Sequence, residues 1–326
     1  MSRKTLELLN SNFMVNAKGA INRGVVCHFN SLIQSLLSCT SITNYLLSYE
    51  NKYINSGGKC EEKKEAFMKF IEVLKMQIDT DTKFLDTRSL LSTLTKCSQS
   101  FGSGQEDINE GFLLLLDAMD DELSGYFRHV YKVSTYCSTC ENIVCAKNHK
   151  HQLCISIPPL QMIEKALPNG RTVKYLSNGH TSEMIGNVNN IEGKDPLNRY
   201  IKQTKVSTDR KCPKCSNQTC VDIYQLDQLS DILVLLFKKY TMKNCMNFPP
   251  IMTFKARKNG RDEIRYYKMV AQMEHTGGRM GGHYYATCLR KEGYVTINDT
   301  HISPNPDPEP TPYTYMVFYH IFDPSE

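Results

Sequence analysis

The chain has 326 residues, 40% hydrophobic and 22% charged, which excludes disordered, fibrous and low-complexity classes and allows one large core or two modest ones. Its 39 basic and 34 acidic residues leave a diffuse formal charge of +5 with no dense Lys/Arg block, arguing against nucleic acid as a partner. MSRKTLELLN lacks the apolar core of a signal peptide, and the longest apolar runs (ILVLLF, FLLLL) are too short to cross a bilayer, so no membrane partner and a cytoplasmic and/or nuclear location are expected.

The first third reads as helical. After Cys27, the apolar residues Phe29, Leu32, Ile33, Leu36 and Leu37 recur at spacings of three and four, with Asn30, Ser31, Gln34 and Ser35 assigned to the opposite, polar face. EEKKEAFMKFIEVLKMQI predicts a second helix with Phe67, Phe70, Ile71, Leu74 and Ile78 as its buried stripe. A third follows Asp107, with Ile108, Phe112, Leu115, Leu116 and Met119 on one face and Asp120, Asp121 and Glu122 past its end. From about Tyr126 the runs become β-branched and aromatic: YFRHVYKVSTY, LCISI, DILVLLF, YYKMVAQM, HYYATCLR, YVTIND and YTYMVFYHIF, so the second half is mainly sheet. Residues from about 160 to 205, rich in Asn, Gly and Lys, read as an insertion or mobile loop, and SPNPDPEPTPY as a turn before a last strand.

Thirteen cysteines in a large chain with no visible export signal point to metal binding and nucleophilic chemistry in place of a disulfide framework. Cys27 opens a helix, where free N–H groups and the macrodipole favour a thiolate, so a lowered pKa is expected. Asn22 and Gly24 precede it, and the Asn22 amide and the Cys27 N–H could donate together to an oxyanion. The same pattern also suits a buried helix-start cysteine. NRGVVCHFNSLIQSLL resembles the cysteine box of ubiquitin-specific proteases through Asn22, Gly24, Cys27, Phe29, Asn30, Ser31, Gln34 and Leu36, with Val26 and His28 where that family has Thr and Tyr.

A thiol nucleophile needs an imidazole base and a third group to fix its tautomer. In GGRMGGHYYATCLRKEGYVTIND, Gly281 and Gly282 allow close backbone approach, His283 opens a strand, and Asn298 or Asp299 closes the next one. This segment resembles the family's histidine box, which implies that Gly282-His283-Tyr284 is its Gly-His-Tyr, that Asn298 orients His283, and that Asp299 is a second polar group on the oxyanion side. FGSGQEDINEGFLLLLDAM resembles the family's Gln-x-Asp box, with Gln105 and Asp107 matching and Gly111 where an aromatic is usual. That resemblance implies that Asp107 lies beside the substrate tail; as a residue it also suits a helix N-cap.

Cys137/Cys140 and Cys212/Cys215 are two Cys-x2-Cys pairs separated by 71 residues, spaced for a tetrahedral structural Zn²⁺ held by two knuckles, with Cys145, Cys220, His149 and His151 as reserve ligands. HQLCISIPP and DQLSDILVLLFKKY, ending in Lys239-Tyr240, extend the resemblance. It implies an α+β, papain-like cysteine protease over residues 1–326: a helical thumb (about 16–128), zinc-tipped β fingers (about 131–157 and 205–228) and a β palm (about 229–322). The expected activity is deubiquitination by a monomer, with Cys27 as nucleophile, His283 as base, Asn22, Asn298 and Asp299 in support, and Gln105, Asp107, Gly281, Gly282 and Tyr284 binding the tail of ubiquitin or a ubiquitin-like modifier. An isopeptidase for another Gly-Gly modifier and a non-catalytic ubiquitin-binding scaffold are the alternatives.

Overall fold

The structure, a computed structural model, describes residues 14–24, 26–49, 61–97, 107–119, 121–157, 161–166, 172–177, 197, 201, 203–237, 248–258, 261–278 and 281–325. Among the described residues six helices come first: α1 (Cys27–Leu36), α2 (Thr40–Tyr49), α3 (Glu61–Ile78), α4 (Arg88–Lys96), α5 (Ile108–Ala118) and the short α6 (Asp121–Gly125). The three helices expected from periodicity are present, and α3 spans the predicted segment. Helices α2 and α4 were not predicted, and Asp121 and Glu122 open α6 instead of trailing α5.

One correction concerns α1. Its polar residues do not form a solvent face: all ten side chains from Cys27 to Leu36 are buried. Each of three polar side chains there finds a partner from a remote segment or the previous turn. Asn30 donates to the Ile21 carbonyl and accepts from Thr87, Gln34 donates to the Lys18 carbonyl, and Ser35 donates to the Ser31 carbonyl. Burial of polar groups is tolerated because these bonds replace water.

Strands β1 (His129–Cys137), β2 (Ile143–Gln152), β6 (Gln203–Ser207) and β7 (Cys220–Gln228) form an antiparallel sheet in the order β2-β1-β7-β6. A second sheet has the order β13-β12-β11-β10-β14-β8-β3, with β9 (Ile251–Lys258) also paired to β10. Its members are β3 (Ile155–Ile157), β8 (Ile232–Phe237), β10 (Arg261–Gly278), β11 (Gly281–Arg290), β12 (Gly293–Asn298), β13 (His301–Pro304) and β14 (Thr314–Phe322). The continuous apolar run ILVLLF has a direct cause: β8 is covered on both faces. Ile232, Val234 and Leu236 pack with the helices, while Leu233, Leu235 and Phe237 pack on the other side with Tyr131, Phe254 and Tyr267.

The stretch from about 160 to 205 is not wholly irregular. It contains the hairpin β4 (Gln161–Ala166) and β5 (Thr172–Ser177), and Leu197 and Ile201 join the second core, where the Ile201 carbonyl accepts from the Tyr131 hydroxyl at 3.0 Å. Periodicity could not expose two anchor residues whose partners lie elsewhere in the chain. Gln105, Lys239 and Tyr240 lie outside the described residues. Among the described residues no helix is long and apolar enough to cross a membrane.

Candidate active site and metal centre

The α1 N-terminus lies against β11. Cys27 is 5% exposed, and the backbone N–H groups of Tyr284, of His28 and of Cys27 itself lie close enough to its thiol to favour the thiolate. The expected lowering of its pKa is not found. Burial raises it above the ordinary thiol value and the Asp299 carboxylate adds to that, outweighing the three N–H groups. Among the described residues, the Cys27 thiol and the His283 ring make no hydrogen bond with each other.

His283 is the third residue of β11 and Asn298 the last of β12, two strands that pair antiparallel. His283 Nε2 donates to Asn298 Oδ1 at 2.6 Å, whereas the nearest Asp299 oxygen is 3.9 Å away. An amide oxygen can only accept, so Nε2 carries the proton and Nδ1 keeps the lone pair. Asp299 turns the corner with φ 52° and accepts from Asn22 Nδ2 at 3.1 Å, while Asn22 Oδ1 accepts from the Val26 N–H at 3.4 Å. The Asp299 carbonyl also accepts from the Ala20 N–H at 2.8 Å. The hairpin that carries the histidine's partner therefore also fixes the approach to α1.

The β10–β11 hairpin is glycine-lined for steric reasons. A Cβ at Gly282 would fall 2.4 Å from both His275 Nε2 and the Thr276 carbonyl oxygen, and one at Gly277, which has φ +124°, would fall 2.5 Å from the Gly281 oxygen. Gly281 pairs with Gly278. Tyr284, expected at the substrate, is 5% exposed: its ring stacks on His275 at 4.4 Å and meets Tyr315 at 5.8 Å, so only its backbone reaches the site. Tyr284 is on the inward face of its strand, where it joins the core.

Asp107 caps α5, accepting from the Asn109 N–H at 2.9 Å, and the same oxygen accepts from the Tyr315 hydroxyl at 2.7 Å. His275 feels both this carboxylate and His283: burial lowers its pKa, opposed by Asp107 and reinforced by His283. Sequence reasoning missed His275 and Tyr315. The signal for His275 was its place across the glycine turn, where it pairs with Tyr284.

At the far end of the first sheet, the sulfur atoms of Cys137, Cys140, Cys212 and Cys215 lie within 4.8 Å of one another, with Cys137–Cys215 and Cys140–Cys212 both at 3.6 Å. Four sulfurs at about 2.3 Å from a tetrahedral Zn²⁺ would stand about 3.8 Å apart, so this set fits that ion. The two turns are copies of one another. Glu141 N–H donates to the Cys137 carbonyl and Ser216 N–H to the Cys212 carbonyl, both at 2.8 Å, and Glu141 and Ser216 have φ 55° and 62°. Hydrogen bonds from Thr219 and from the Cys140 N–H hold Cys137 down to about 5, and the Cys215 and Lys214 N–H groups reach Cys212. Cys220 starts β7 opposite Cys137, and His149 and His151 are exposed on β2; none joins the cluster.

The family comparison agrees with this layout. The model of the family described as ubiquitin carboxyl-terminal hydrolase matches residues 18–319. Human ubiquitin carboxyl-terminal hydrolase 40 is 21% identical over 303 residues, covering 87% of this chain and 23% of that protein. Ubiquitin carboxyl-terminal hydrolase 30 of Xenopus tropicalis is 30% identical over 107 residues, 32% of this chain and 21% of that one. The chain thus spans under a quarter of the length of these two curated relatives. Among solved structures, the SAGA DUB module containing Ubp8 bound to monoubiquitin superposes with a TM-score of 0.67 at 17% identity, over 98% of this chain and 74% of that one. The Ubp8 module bound to ubiquitin aldehyde gives 0.67 at 18%, over 94% and 70%. A match of the family's model from residue 18 to residue 319 places this chain in the ubiquitin carboxyl-terminal hydrolase family, with the fold of its ubiquitin-specific proteases.

Proposed function

We propose that this chain is a deubiquitinase that hydrolyses the bond after the C-terminal glycine of ubiquitin through the Cys27 thiol. The observation that carries the reading is the His283–Asn298 hydrogen bond, which leaves the unprotonated Nδ1 as the available base beside a helix N-terminus that holds a cysteine. Nδ1 takes the Cys27 proton as sulfur attacks the glycine carbonyl. The developing oxyanion is held by the Cys27 N–H and by the second N–H of Asn22, whose first is spent on Asp299. The tetrahedral species expels the lysine amine, which leaves with the proton from His283, and water then hydrolyses the thioester through the same base. Burial raises the pKa of the thiol, so activation by the imidazole is part of the proposed reaction.

The crowding at Gly277 and Gly282 comes from the hairpin's own atoms, so a Cβ there would disturb the β10–β11 pairing that presents the Tyr284 backbone toward the substrate tail. Asp107, fixed by Tyr315, is the acidic group that would meet a basic residue preceding that tail. Zn²⁺ on Cys137, Cys140, Cys212 and Cys215 would cross-link the tips of the finger sheet, a structural role with no open ligand position. The Ubp8 structures were solved with ubiquitin or its aldehyde and with other subunits, so ubiquitin is the expected partner and a monomeric state is to be measured by sedimentation.

The test is competitive labelling with electrophile-tipped ubiquitin and other Gly-Gly modifiers, with Cys27→Ser as control. Labelling of the wild type by ubiquitin, lost in the variant, is expected. Labelling by another modifier alone would reassign the substrate, and labelling by none would favour a binding scaffold.

A further inference from the structure

The strand that carries His283 ends in an arginine where its own pattern calls for an apolar residue. Tyr284, Ala286, Cys288 and Arg290 alternate along the inward face of β11, and Arg290 is 0% exposed. A buried guanidinium is costly, and none of its hydrogen-bond partners carries a charge. Nη1 donates to Ser38 Oγ at 2.6 Å and to the Leu289 carbonyl at 3.0 Å, and Nη2 donates to the Gln34 carbonyl at 2.9 Å and to Gln34 Oε1 at 2.7 Å. Nε has no acceptor, the buried Cys288 and Cys39 thiols lie against the group, and Glu292 acts on it only through its field.

These partners are the C-terminal turn of α1. The Ser38 N–H donates to the Ser35 carbonyl, so the Gln34 carbonyl is one of the acceptors a helix end leaves without a backbone partner. A cation there also faces the negative end of the macrodipole. Gln34 passes the tie on, since its Nε2 donates to the Lys18 carbonyl at 2.8 Å, on the segment leading to Asn22.

Helix α1 thereby meets β11 at both ends: the Cys27 thiol faces the Tyr284 backbone at the start, and Gln34 and Ser38 are bonded to Arg290 at the finish. Seven helical residues rise about 10 Å, whereas six strand residues extend about 20 Å. The two elements cannot stay in step residue by residue, and only a long side chain closes the difference.

We propose that Arg290 is a positioning residue for the Cys27–His283 pair, a buried bolt that sets how far α1 slides along β11. The proposal rests on the protease reading of these two residues. A slide of about 1 Å at the thiol can cost about a hundredfold in rate, while substrate contacts on the hairpin and on Asp107 are untouched.

The experiment compares wild type with Arg290→Met, Arg290→Lys and Ser38→Ala, each first shown to be folded by thermal denaturation. A ubiquitin C-terminal aminocoumarin reporter gives kcat and KM, and mass spectrometry of the Cys27 peptide gives the pH–rate profile of its alkylation by iodoacetamide. The expected result is a kcat lower by about ten- to a hundredfold for Arg290→Met with KM within about twofold, partly recovered in Arg290→Lys, and a displaced alkylation profile. Ser38→Ala, which removes one acceptor and leaves the core filled, is expected to lower kcat about three- to tenfold and decides the matter if Arg290→Met does not fold. Wild-type kcat and an unchanged alkylation profile in a folded variant would overturn the proposal, as would a loss that only follows the unfolded fraction. Should the wild type not cleave the ubiquitin reporter, the substrate reading fails, and the alkylation profiles alone decide the role of Arg290.

Discussion

His283 leans on Asn298 and leaves Asp299 to Asn22: the first contact is 2.6 Å, and the carboxylate is 3.9 Å from the ring but 3.1 Å from the Asn22 amide. In the proposed mechanism the two adjacent residues would divide the work of orienting the base and orienting an oxyanion donor. Asn298→Ala is expected to lower kcat by about a hundredfold or more, because the ring loses its tautomer and its direction. Asp299→Ala is expected to cost about ten- to a hundredfold through Asn22, and adding Asn22→Ala should cost little more. Additive losses in the double variant would separate Asp299 from Asn22.

Asp107 serves as both a cap and a charge. Asp107→Asn keeps an N-cap of equal quality and an oxygen for the Tyr315 hydroxyl, so stability should hold while KM for the ubiquitin reporter rises. Asp107→Ala should raise KM equally and also lose about 1 kcal/mol of stability. If Asp107→Asn leaves KM unchanged, the carboxylate charge plays no part in binding.

Metal content follows from the cysteine cluster. Protein purified without added zinc is expected to hold about one equivalent, and Cys212→Ser to lose it. Because the cluster is at the tip of the finger sheet and far along the chain from the Cys27 segment, stripping the metal should raise KM and lower the thermal midpoint before it touches kcat. Atomic absorption and reporter kinetics on the same sample check both points.

His129 gives stability a pH slope. It is wholly buried, its pKa is pushed down to about 3 by burial, and its Nδ1 accepts from the Ser230 backbone N–H at 3.3 Å. Below about pH 6.5 the unfolded chain binds a proton that the folded chain refuses, so stability present above that pH is lost as the pH falls toward 3. The slope is on the order of 1 kcal/mol per pH unit from this group, with His320 and His275 adding in the same direction. Urea midpoints at about pH 7 and about pH 5 should converge in His129→Gln relative to wild type. Equal slopes in the two proteins would remove His129 from the account.

Local order in the sequence determined a good deal. Apolar spacing located α1, α3 and α5, because each packs an apolar stripe into the core, and the paired cysteines announced the two knuckles, because a turn of that kind is built from adjacent residues. Cys27, His283 and the Asn298-Asp299 pair stood out through their resemblance to the family's cysteine and histidine boxes, since each alone also suits an ordinary structural residue at the end of an element. What the sequence could not reveal depends on partners remote in the chain. The burial of Asn30 and Gln34 needed Ile21, Thr87, Lys18 and Arg290. The choice of Asn298 over Asp299 needed the positive φ at the hairpin corner, and the raised pKa of Cys27 needed the walls that close over it. Periodicity reports which side of an element faces the core, but not what stands opposite. Only the tertiary structure supplies the opposing groups, and with them the hydrogen bonds and desolvation that decide the chemistry.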